Sequence, residues 1–228
     1  MNGPSTLPDH VIARVKFKRG RLRVFERFDL EKTAVLVVDM QRYYLPRISG
    51  IREIVPKIND VVARLRARGA TIAWIMNTLA RNGVSTWPFY HAHFFNASGA
   101  EDHRNGLMAG APGHALISDL IPTTDDLVVE KTRFSAFAPN SSELPALLRK
   151  RGAENLIIVG TATNVCCEST ARDAMMQDYR VVVLSDATAA ITQEDHLAGL
   201  STLYSCFADV MTTDELLRVV NCAALTHE

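Results

Sequence analysis

Three side chains that can do chemistry each follow a short apolar run of the chain. Asp39 ends one β-branched run, Lys131 follows a second, and Cys166 lies across a turn from a third. A thiol at a helix start with an ammonium nearby is favoured as the thiolate, its nucleophilic form. A neighbouring carboxylate can take the thiol proton and later deliver it to a leaving amine. Together these residues indicate nucleophilic catalysis, provided that the fold brings them together.

Each of the three residues also has an ordinary structural interpretation. An Asp at a strand end often forms a turn, an isolated Lys is usually a solvated surface charge, and a free Cys is usually a small core residue. The three positions are far apart in sequence, so only the fold can distinguish the two interpretations.

Strand and helix patterns alternate around these residues. Apolar, β-branched runs predict strands at residues 33–38, 70–76, 127–129, 155–159, 180–184 and 209–211. Helical patterns predict helices around residues 54–65, 143–151, 165–178, 194–207 and 214–221. This alternation predicts one α/β domain, residues 1–228, with a parallel sheet covered by helices on both faces. Ligands bind beyond the carboxyl ends of such strands, which is where the three candidate residues lie.

Two segments fall outside the alternation. Residues 77–125 are rich in Gly, His, Asn and Pro with little periodicity, which is typical of a lid or substrate loop. Residues 1–28 are basic and weakly patterned, and we expect them to form an N-terminal arm that wraps the domain or a partner subunit.

Composition excludes several classes of protein. The 25 Lys and Arg residues balance 25 Asp and Glu residues, so no basic field exists for nucleic-acid binding. No run of 18 apolar residues predicts a membrane span, and the first ten residues lack a signal-peptide pattern. The four Cys residues show neither metal-ligand spacing nor the density of a disulfide scaffold. We therefore expect a cytoplasmic protein with reduced thiols and no nucleic-acid or membrane partner.

Four motifs, in order along the chain, carry a family resemblance. They are VVDMQ at residues 37–41, EKTRFSAF at 130–137, GTATNVCCESTARDA at 160–174 and LSDATAA at 184–190. With them the chain resembles the isochorismatase-like cysteine hydrolase superfamily from about residue 33 to residue 219. The resemblance implies a Rossmann-like three-layer α/β/α fold whose six parallel strands have the order 3-2-1-4-5-6.

The resemblance also implies the residues of an active site. The family's Asp-Lys-Cys triad corresponds to Asp39, Lys131 and Cys166. Its oxyanion hole corresponds to the backbone N–H groups of Ala162 and Cys166, with a cis peptide bond between Thr161 and Ala162. We expect no cofactor. Members of the family are generally dimers or tetramers, so we expect a homodimer or a homotetramer.

The motifs are most similar to those of ureidoacrylate, biuret and N-carbamoyl amidohydrolases. This similarity implies a hydrolase that cleaves a linear C–N bond of a small ureido, carbamoyl or primary amide substrate through a thioester, with release of ammonia. Such substrates often carry a carboxylate, which a guanidinium can bind. Candidate substrate-binding residues, for which core packing or an interface role is nearly as good an explanation, are Arg42, Tyr44, Asn77, Trp87, Arg133 and Phe134.

Three alternative functions remain open at this point. A nicotinamidase would carry an Asp-x-His metal motif after the second strand, where this chain reads Asn-Thr-Leu-Ala at residues 77–80. His91 and His93 come later and lack the Asp, so we expect no metal. Isochorismatase-type hydrolases do not require the Cys. A non-catalytic thiol sensor would use Cys166 together with Cys167.

Other polar or thiol residues have simpler interpretations. Cys167 suits a core position better than a regulatory one, and Cys206 and Cys222 fall in later predicted helices, where we expect packing roles. Glu194 and His196 follow the LSDATAA motif, and their positions indicate the charged start of a helix rather than a metal pair.

Overall fold

A six-stranded parallel sheet forms the centre of the protein in a computed structural model, which describes residues 7–224. The strands are β1 Thr33–Val38, β2 Thr71–Asn77, β3 Leu127–Lys131, β4 Asn155–Thr161, β5 Arg180–Ala189 and β6 Asp209–Met211. Their spatial order is β3, β2, β1, β4, β5, β6, and each neighbouring pair is parallel. The predicted α/β fold and its strand order 3-2-1-4-5-6 are confirmed.

Helices cover both faces of this sheet. They are α1 Asp9–Arg19, α2 Ile51–Arg66, α3 Pro88–His93, α4 Ala97–Gly106, α5 Leu144–Lys150, α6 Glu168–Met175, α7 Gln193–Cys206 and α8 Thr213–Ala224. The core on one face includes side chains of α2 and α8, and the core on the other includes those of α1, α5, α6 and α7. No helix within residues 7–224 is long and apolar enough to cross a membrane.

The central strands are apolar throughout because both of their faces are covered. All six residues of β1 are buried, as are all seven of β4. Helix α2 shows the complementary pattern, in which the apolar positions recur every three or four residues and face the sheet. The five apolar residues that predicted this helix are all buried, namely Ile54, Ile58, Val61, Val62 and Leu65.

The N-terminal segment lies against the domain through a helix that the sequence did not predict. Helix α1 buries only Val11 and Val15, which are four residues apart, so its apolar stripe is too narrow to recognise. Arg19 at its end forms an ion pair with Asp209 of β6 at 3.0 Å. Residues 1–6 of the expected arm lie outside the described residues.

The segment at residues 77–125 is more regular than its sequence suggested. It contains an antiparallel ribbon of Ala80–Arg81 and Val84–Ser85, followed by α3 and α4. Helix α3 consists largely of aromatic residues and His, and α4 contains two Gly, so tertiary contacts rather than local helix propensity hold these two helices. The segment thus contains regular elements that its sequence did not predict, and its role as a lid or substrate loop stays a prediction.

Strands β4 and β5 continue past their predicted ends into polar and small residues. In β4 the extension passes through Gly160, whose φ of 108° lies in a region that side chains avoid. A Cβ atom at this position would lie 2.2 Å from the Val38 carbonyl oxygen. Gly160 thus lets β4 approach β1 closely at the edge where the candidate catalytic residues lie.

Candidate active site

Asp39, Lys131 and Cys166 meet at the carboxyl edge of the sheet. The Lys131 ammonium lies 2.8 Å from a carboxylate oxygen of Asp39 and 3.5 Å from the Cys166 sulfur. All three side chains are buried. The structure thus brings together residues that are distant in sequence, and we refer to these three side chains as the Asp-Lys-Cys cluster.

The backbone of Asp39 is held between the two strands that flank β1. Its N–H donates to the Ile75 carbonyl oxygen at 2.8 Å, and its own carbonyl accepts from the Thr161 hydroxyl at 3.0 Å. Its φ of 51° is left-handed, a conformation that Asp tolerates better than most residues. These contacts fix the direction in which the carboxylate leaves the end of β1.

Lys131 reaches the cluster from the last position of β3. Besides its contacts with Asp39 and Cys166, the ammonium donates to the Arg133 carbonyl oxygen at 3.1 Å. A buried ammonium is strongly destabilising unless it is paired and hydrogen-bonded. The three partners satisfy that requirement and hold the ammonium between carboxylate and thiol.

Cys166 lies in a π-helical turn, Thr163–Cys167, that leads directly into α6. We call this segment the nucleophile turn. The sequence predicted an ordinary helix beginning near residue 165, and the wider turn replaces its first residues. The Val165 and Cys167 N–H groups both donate to the Ala162 carbonyl oxygen, each at 3.1 Å. The peptide bond between Thr161 and Ala162 is cis, as the family resemblance implies.

Burial dominates the protonation equilibria of the cluster. It raises the pKa of the Asp39 carboxyl, although the Lys131 charge acts in the opposite direction. Burial alone would lower the pKa of Lys131, but the charges of Asp39 and Cys166 raise it above the ordinary value. Burial, followed by the Asp39 charge, raises the pKa of the Cys166 thiol far above its usual range.

Desolvation and the adjacent carboxylate therefore favour the neutral form of the Cys166 thiol, whereas the Lys131 ammonium opposes them. The sequence indicated the ammonium and the carboxylate but not the desolvation. A neutral thiol beside a carboxylate requires proton transfer before or during attack.

Asn77 and Tyr44 form a polar pair beside the cluster. Asn77 lies opposite Lys131 in the pairing of β2 with β3, and its amide nitrogen donates to the Tyr44 hydroxyl at 3.0 Å. The amide oxygen of Asn77 is buried and has no hydrogen-bond partner among the described residues. Burial raises the pKa of Tyr44 well above its ordinary value, and the charges of Asp39 and Cys166 raise it further, so this hydroxyl borders the cluster.

Three aromatic side chains, Trp87, Tyr90 and Phe134, pack together and form what we call the aromatic wall. The Trp87 and Phe134 rings meet edge to face with centroids 5.0 Å apart, and Tyr90 contacts both rings at 4.5 and 5.2 Å. Burial raises the pKa of Tyr90, and the charge of Cys166 raises it further. Tyr90 is therefore close enough to the Asp-Lys-Cys cluster for its pKa to respond to the charge there. Tyr90 was missed from the sequence because it lies in α3, within a segment interpreted as a loop.

The two candidate arginines differ in their contacts. Arg133 donates to the Thr86 and Thr132 carbonyl oxygens at 3.1 and 2.7 Å, and its guanidinium lies 4.9 Å from the centre of the Trp87 ring. Arg42 is exposed, and among residues 7–224 no hydrogen bond or ion pair joins its side chain to the cluster. Arg133 thus supports the aromatic wall, whereas Arg42 contributes only an exposed charge.

Gln41 supports the site, although no role was predicted for it. Its amide nitrogen donates to the Asn77 and His114 carbonyl oxygens at 3.1 and 2.8 Å, and its amide oxygen accepts from the Asn77 N–H at 2.8 Å. This buried side chain joins the ends of β1 and β2. The sequence feature that could have revealed this role is the place of Gln41 in the VVDMQ motif, two residues after Asp39.

The histidines of α3 do not pair with each other. His91 contacts Ser85 at 2.7 Å and His103 of α4 at 3.3 Å, whereas His93 packs against Phe89. Burial and the His91 charge lower the pKa of His103 to about 4. Within residues 7–224 no three His, Cys, Asp or Glu side chains form a group that could hold a metal ion.

The other cysteines occupy different environments. Cys167 is fully buried in the core beside α6. Cys206 is exposed, so the packing role expected for it was wrong, and the Cys222 side chain lies outside the described residues.

Comparisons with known proteins agree with this geometry. The isochorismatase domain family matches residues 33–215. A cysteine hydrolase from Pseudomonas syringae pv. phaseolicola is 28% identical, with a TM-score of 0.76 over 86% of this chain and 95% of that one. An isochorismatase-like hydrolase from Alkaliphilus metalliredigens is 30% identical, with a TM-score of 0.69 over 82% and 98%. N-carbamoylsarcosine amidase from Thermoplasma acidophilum shares the fold at 24% identity, with a TM-score of 0.63 over 81% and 98%. The chain belongs to the isochorismatase-like cysteine hydrolases.

Proposed function

We propose that this protein is a cysteine amidohydrolase that cleaves a linear C–N bond of a small ureido, carbamoyl or primary amide substrate and releases ammonia. The observation that carries this proposal is the buried contact of one ammonium with a carboxylate and a thiol, at 2.8 and 3.5 Å. In this proposal Asp39 is the general base, Cys166 the nucleophile and Lys131 the group that holds both in register.

The first half of the reaction forms a thioester. As the sulfur of Cys166 attacks the substrate carbonyl carbon, its proton passes to the Asp39 carboxylate. The tetrahedral intermediate collapses with cleavage of the C–N bond, and Asp39 returns the proton to the leaving nitrogen. Ammonia departs, and the acyl group stays on Cys166 as a thioester, or as a thiocarbamate for a ureido substrate.

The second half releases the acyl group. Asp39 takes a proton from a water molecule, the resulting hydroxide attacks the thioester carbonyl, and the C–S bond breaks. The sulfur recovers a proton from Asp39, which restores the neutral thiol. Asp39 thus begins and ends each half as a carboxylate, and the sulfur returns to the neutral thiol, the form that burial favours, only when the whole cycle is complete.

The negative oxygen of each tetrahedral intermediate needs hydrogen-bond donors that are already in place. We assign this role to the backbone N–H groups of Ala162 and Cys166, which lie before and within the nucleophile turn. The Lys131 ammonium already contacts the Asp39 carboxylate, the Arg133 carbonyl oxygen and the Cys166 sulfur. It therefore stabilises the sulfur rather than the negative oxygen of the intermediate.

The side chains around the cluster support a small, planar, polar substrate. The unpartnered Asn77 amide oxygen can accept an N–H of the substrate, and the Tyr44 hydroxyl can donate to it. Trp87 and Phe134 provide a flat apolar wall. A substrate carboxylate could pair with Arg42, which is exposed, or with Arg133, which uses only Nη1 for its bonds to the backbone carbonyls.

Ammonia release from a substrate panel tests the proposal. The panel contains N-carbamoyl amino acids, a ureido acid, biuret, simple primary amides and nicotinamide. We expect ammonia from the ureido or carbamoyl compounds, none from Cys166→Ala, and unchanged release from Cys206→Ala, whose thiol is exposed and outside the cluster. Full activity in Cys166→Ala, or no ammonia from any compound, would contradict the proposal.

A further inference from the structure

We propose that His196 is a positioning residue that holds the nucleophile turn in its reactive geometry by accepting a hydrogen bond from Thr163. The inference rests on the proposed function, because it assigns His196 a part in the same reaction. His196 lies in the first turns of α7, on a different element from any residue of the Asp-Lys-Cys cluster.

The contact joins α7 to the first residue of the nucleophile turn. The His196 Nδ1 lies 2.8 Å from the Thr163 hydroxyl oxygen, and both side chains are buried. Thr163 begins the turn, and Cys166 lies three residues further along it. Movement of Thr163 would therefore displace the backbone that positions the Cys166 sulfur.

The tautomer of His196 determines which partner donates. Burial lowers the pKa of His196, although a hydrogen bond to the Ser185 backbone raises it. A neutral ring whose proton is on Nε2 has an unprotonated Nδ1. We assign this tautomer to His196, so that the Thr163 hydroxyl donates to Nδ1.

Helix α7, which carries His196, packs closely against the nucleophile turn. A Cβ atom on Gly199 would lie 2.9 Å from the Asn164 Cα atom, so the helix packs directly on the backbone of the turn. Because His196 and Gly199 are three residues apart in α7, they lie on the same side of the helix and contact consecutive residues of the turn. One rigid face of α7 thus fixes the start of the nucleophile turn.

The placement matters because the sulfur must meet two groups at once. The Cys166 sulfur lies 3.5 Å from the Lys131 ammonium, which in turn lies 2.8 Å from the Asp39 carboxylate. Displacement of a reacting atom by about 1 Å can lower the rate about 100-fold. A hydrogen bond that limits movement of the turn is therefore expected to act on kcat more than on KM.

Two substitutions separate positioning from simple core packing. His196→Leu fills the site without an acceptor, whereas His196→Asn places an amide oxygen near the position of Nδ1. We expect His196→Leu to lower kcat by at least about tenfold with KM changed by less than about twofold, and His196→Asn to retain kcat within about threefold. Urea unfolding of each variant reports its stability separately.

Alkylation of Cys166 provides a readout that needs no substrate. Iodoacetamide modification is followed by peptide mass spectrometry, with the exposed Cys206 as internal reference in the same chain. We expect the ratio of the Cys166 rate to the Cys206 rate to fall at least about fivefold in His196→Leu and to stay near the wild-type value in His196→Asn.

A double-mutant cycle identifies the partner. Thr163→Val removes the donor, so its effect and that of His196→Leu on the alkylation ratio should not add when they are combined. Additive effects, an unchanged or increased ratio in His196→Leu, or equal losses in the Leu and Asn variants would overturn the proposal. If the wild type releases no ammonia, the proposed function fails, whereas the alkylation ratios still decide the role of His196.

Discussion

Lys131 determines the chemistry of the site at the scale of single residues. Its charge offsets the desolvation of Asp39, and each partner shifts the pKa of the other through the 2.8 Å contact. Buried pairs of this kind contribute little net stability, but the loss of one partner leaves an uncompensated charge. Lys131 therefore favours the ionised carboxylate of Asp39 in a place where burial favours the neutral acid.

This arrangement predicts a strong effect of Lys131→Met on stability as well as on activity. The variant leaves Asp39 without its counter-ion, and we expect the free energy of unfolding near pH 7 to fall by about 3 to 5 kcal/mol. Urea unfolding measures the loss. Combination with Asp39→Asn removes the unpaired charge and should recover most of the lost stability.

The sign of the pH dependence follows from the pKa of Asp39. That pKa is already raised by burial, and removal of the Lys131 charge raises it further. A carboxyl with a raised folded-state pKa stabilises the fold below its unfolded-state pKa and loses that contribution as the pH rises through the folded-state value. The deficit of Lys131→Met should therefore shrink on acidification, and an equal deficit at every pH would contradict the account.

The sequence predicted the residues of the cluster but not their protonation. Asp39, Lys131 and Cys166 were recognisable because each follows an apolar strand within a family motif. The neutral thiol was not predictable, since desolvation depends on side chains from several elements. His196 was interpreted as a helix-start residue because its contact with Thr163 joins positions far apart in sequence.

At the scale of elements, the close approach of β4 to β1 determines where the nucleophile turn begins. Gly160 makes this approach possible because its φ is 108° and because a Cβ atom at this position would overlap the backbone of Val38. The next residues, Thr161 and Ala162, lead into the turn. The packing of two strands thus fixes the start of the catalytic segment.

Gly160→Ala should consequently cost far more stability than an ordinary glycine substitution. We expect a loss of roughly 3 kcal/mol or more, from the positive φ and the overlap with Val38 together. Gly152→Ala is the matched control, because its φ of 66° is also positive but no atom lies within 4 Å of the added Cβ. That control should cost only about 1 kcal/mol in urea unfolding, and similar losses in both variants would refute the role given to Gly160.

Elements with strong local patterns were predictable, and those held by tertiary contacts were not. The β-branched runs and the stripe of α2 predicted the sheet and its covering helices. Helix α1 has only two buried positions, and α3 consists largely of aromatic residues and histidine. The π-helical turn was mistaken for a regular helix start because hydrophobic spacing does not distinguish the two.

At the scale of the whole molecule, the absence of net charge limits how a substrate is attracted. With 25 positive and 25 negative side chains, the protein sets up no overall field for long-range steering. Recognition of an anionic substrate must then be local, and in the proposed function it falls to Arg42 or Arg133.

Exposed apolar side chains near the aromatic wall support the expectation of a homodimer or homotetramer. Val84, Phe89 and Phe94 are 64 to 70% exposed in the ribbon and around α3. We predict a solution mass of two or four times 25.2 kDa by light scattering. Replacement of Phe89 and Phe94 by Ser should lower that mass, whereas Phe17→Ser, which alters an exposed ring on α1, should not. A monomeric wild type would contradict the prediction.

In the proposed reaction, Cys166 carries the acyl group between the two halves. Mass spectrometry after an acid quench, with a slowly hydrolysed substrate from the panel, tests this role directly. We expect an adduct on the Cys166 peptide whose mass equals the substrate minus ammonia, which hydroxylamine removes and which Cys166→Ala lacks. Turnover with the adduct on another residue, or undiminished turnover by Cys166→Ala, would contradict this role.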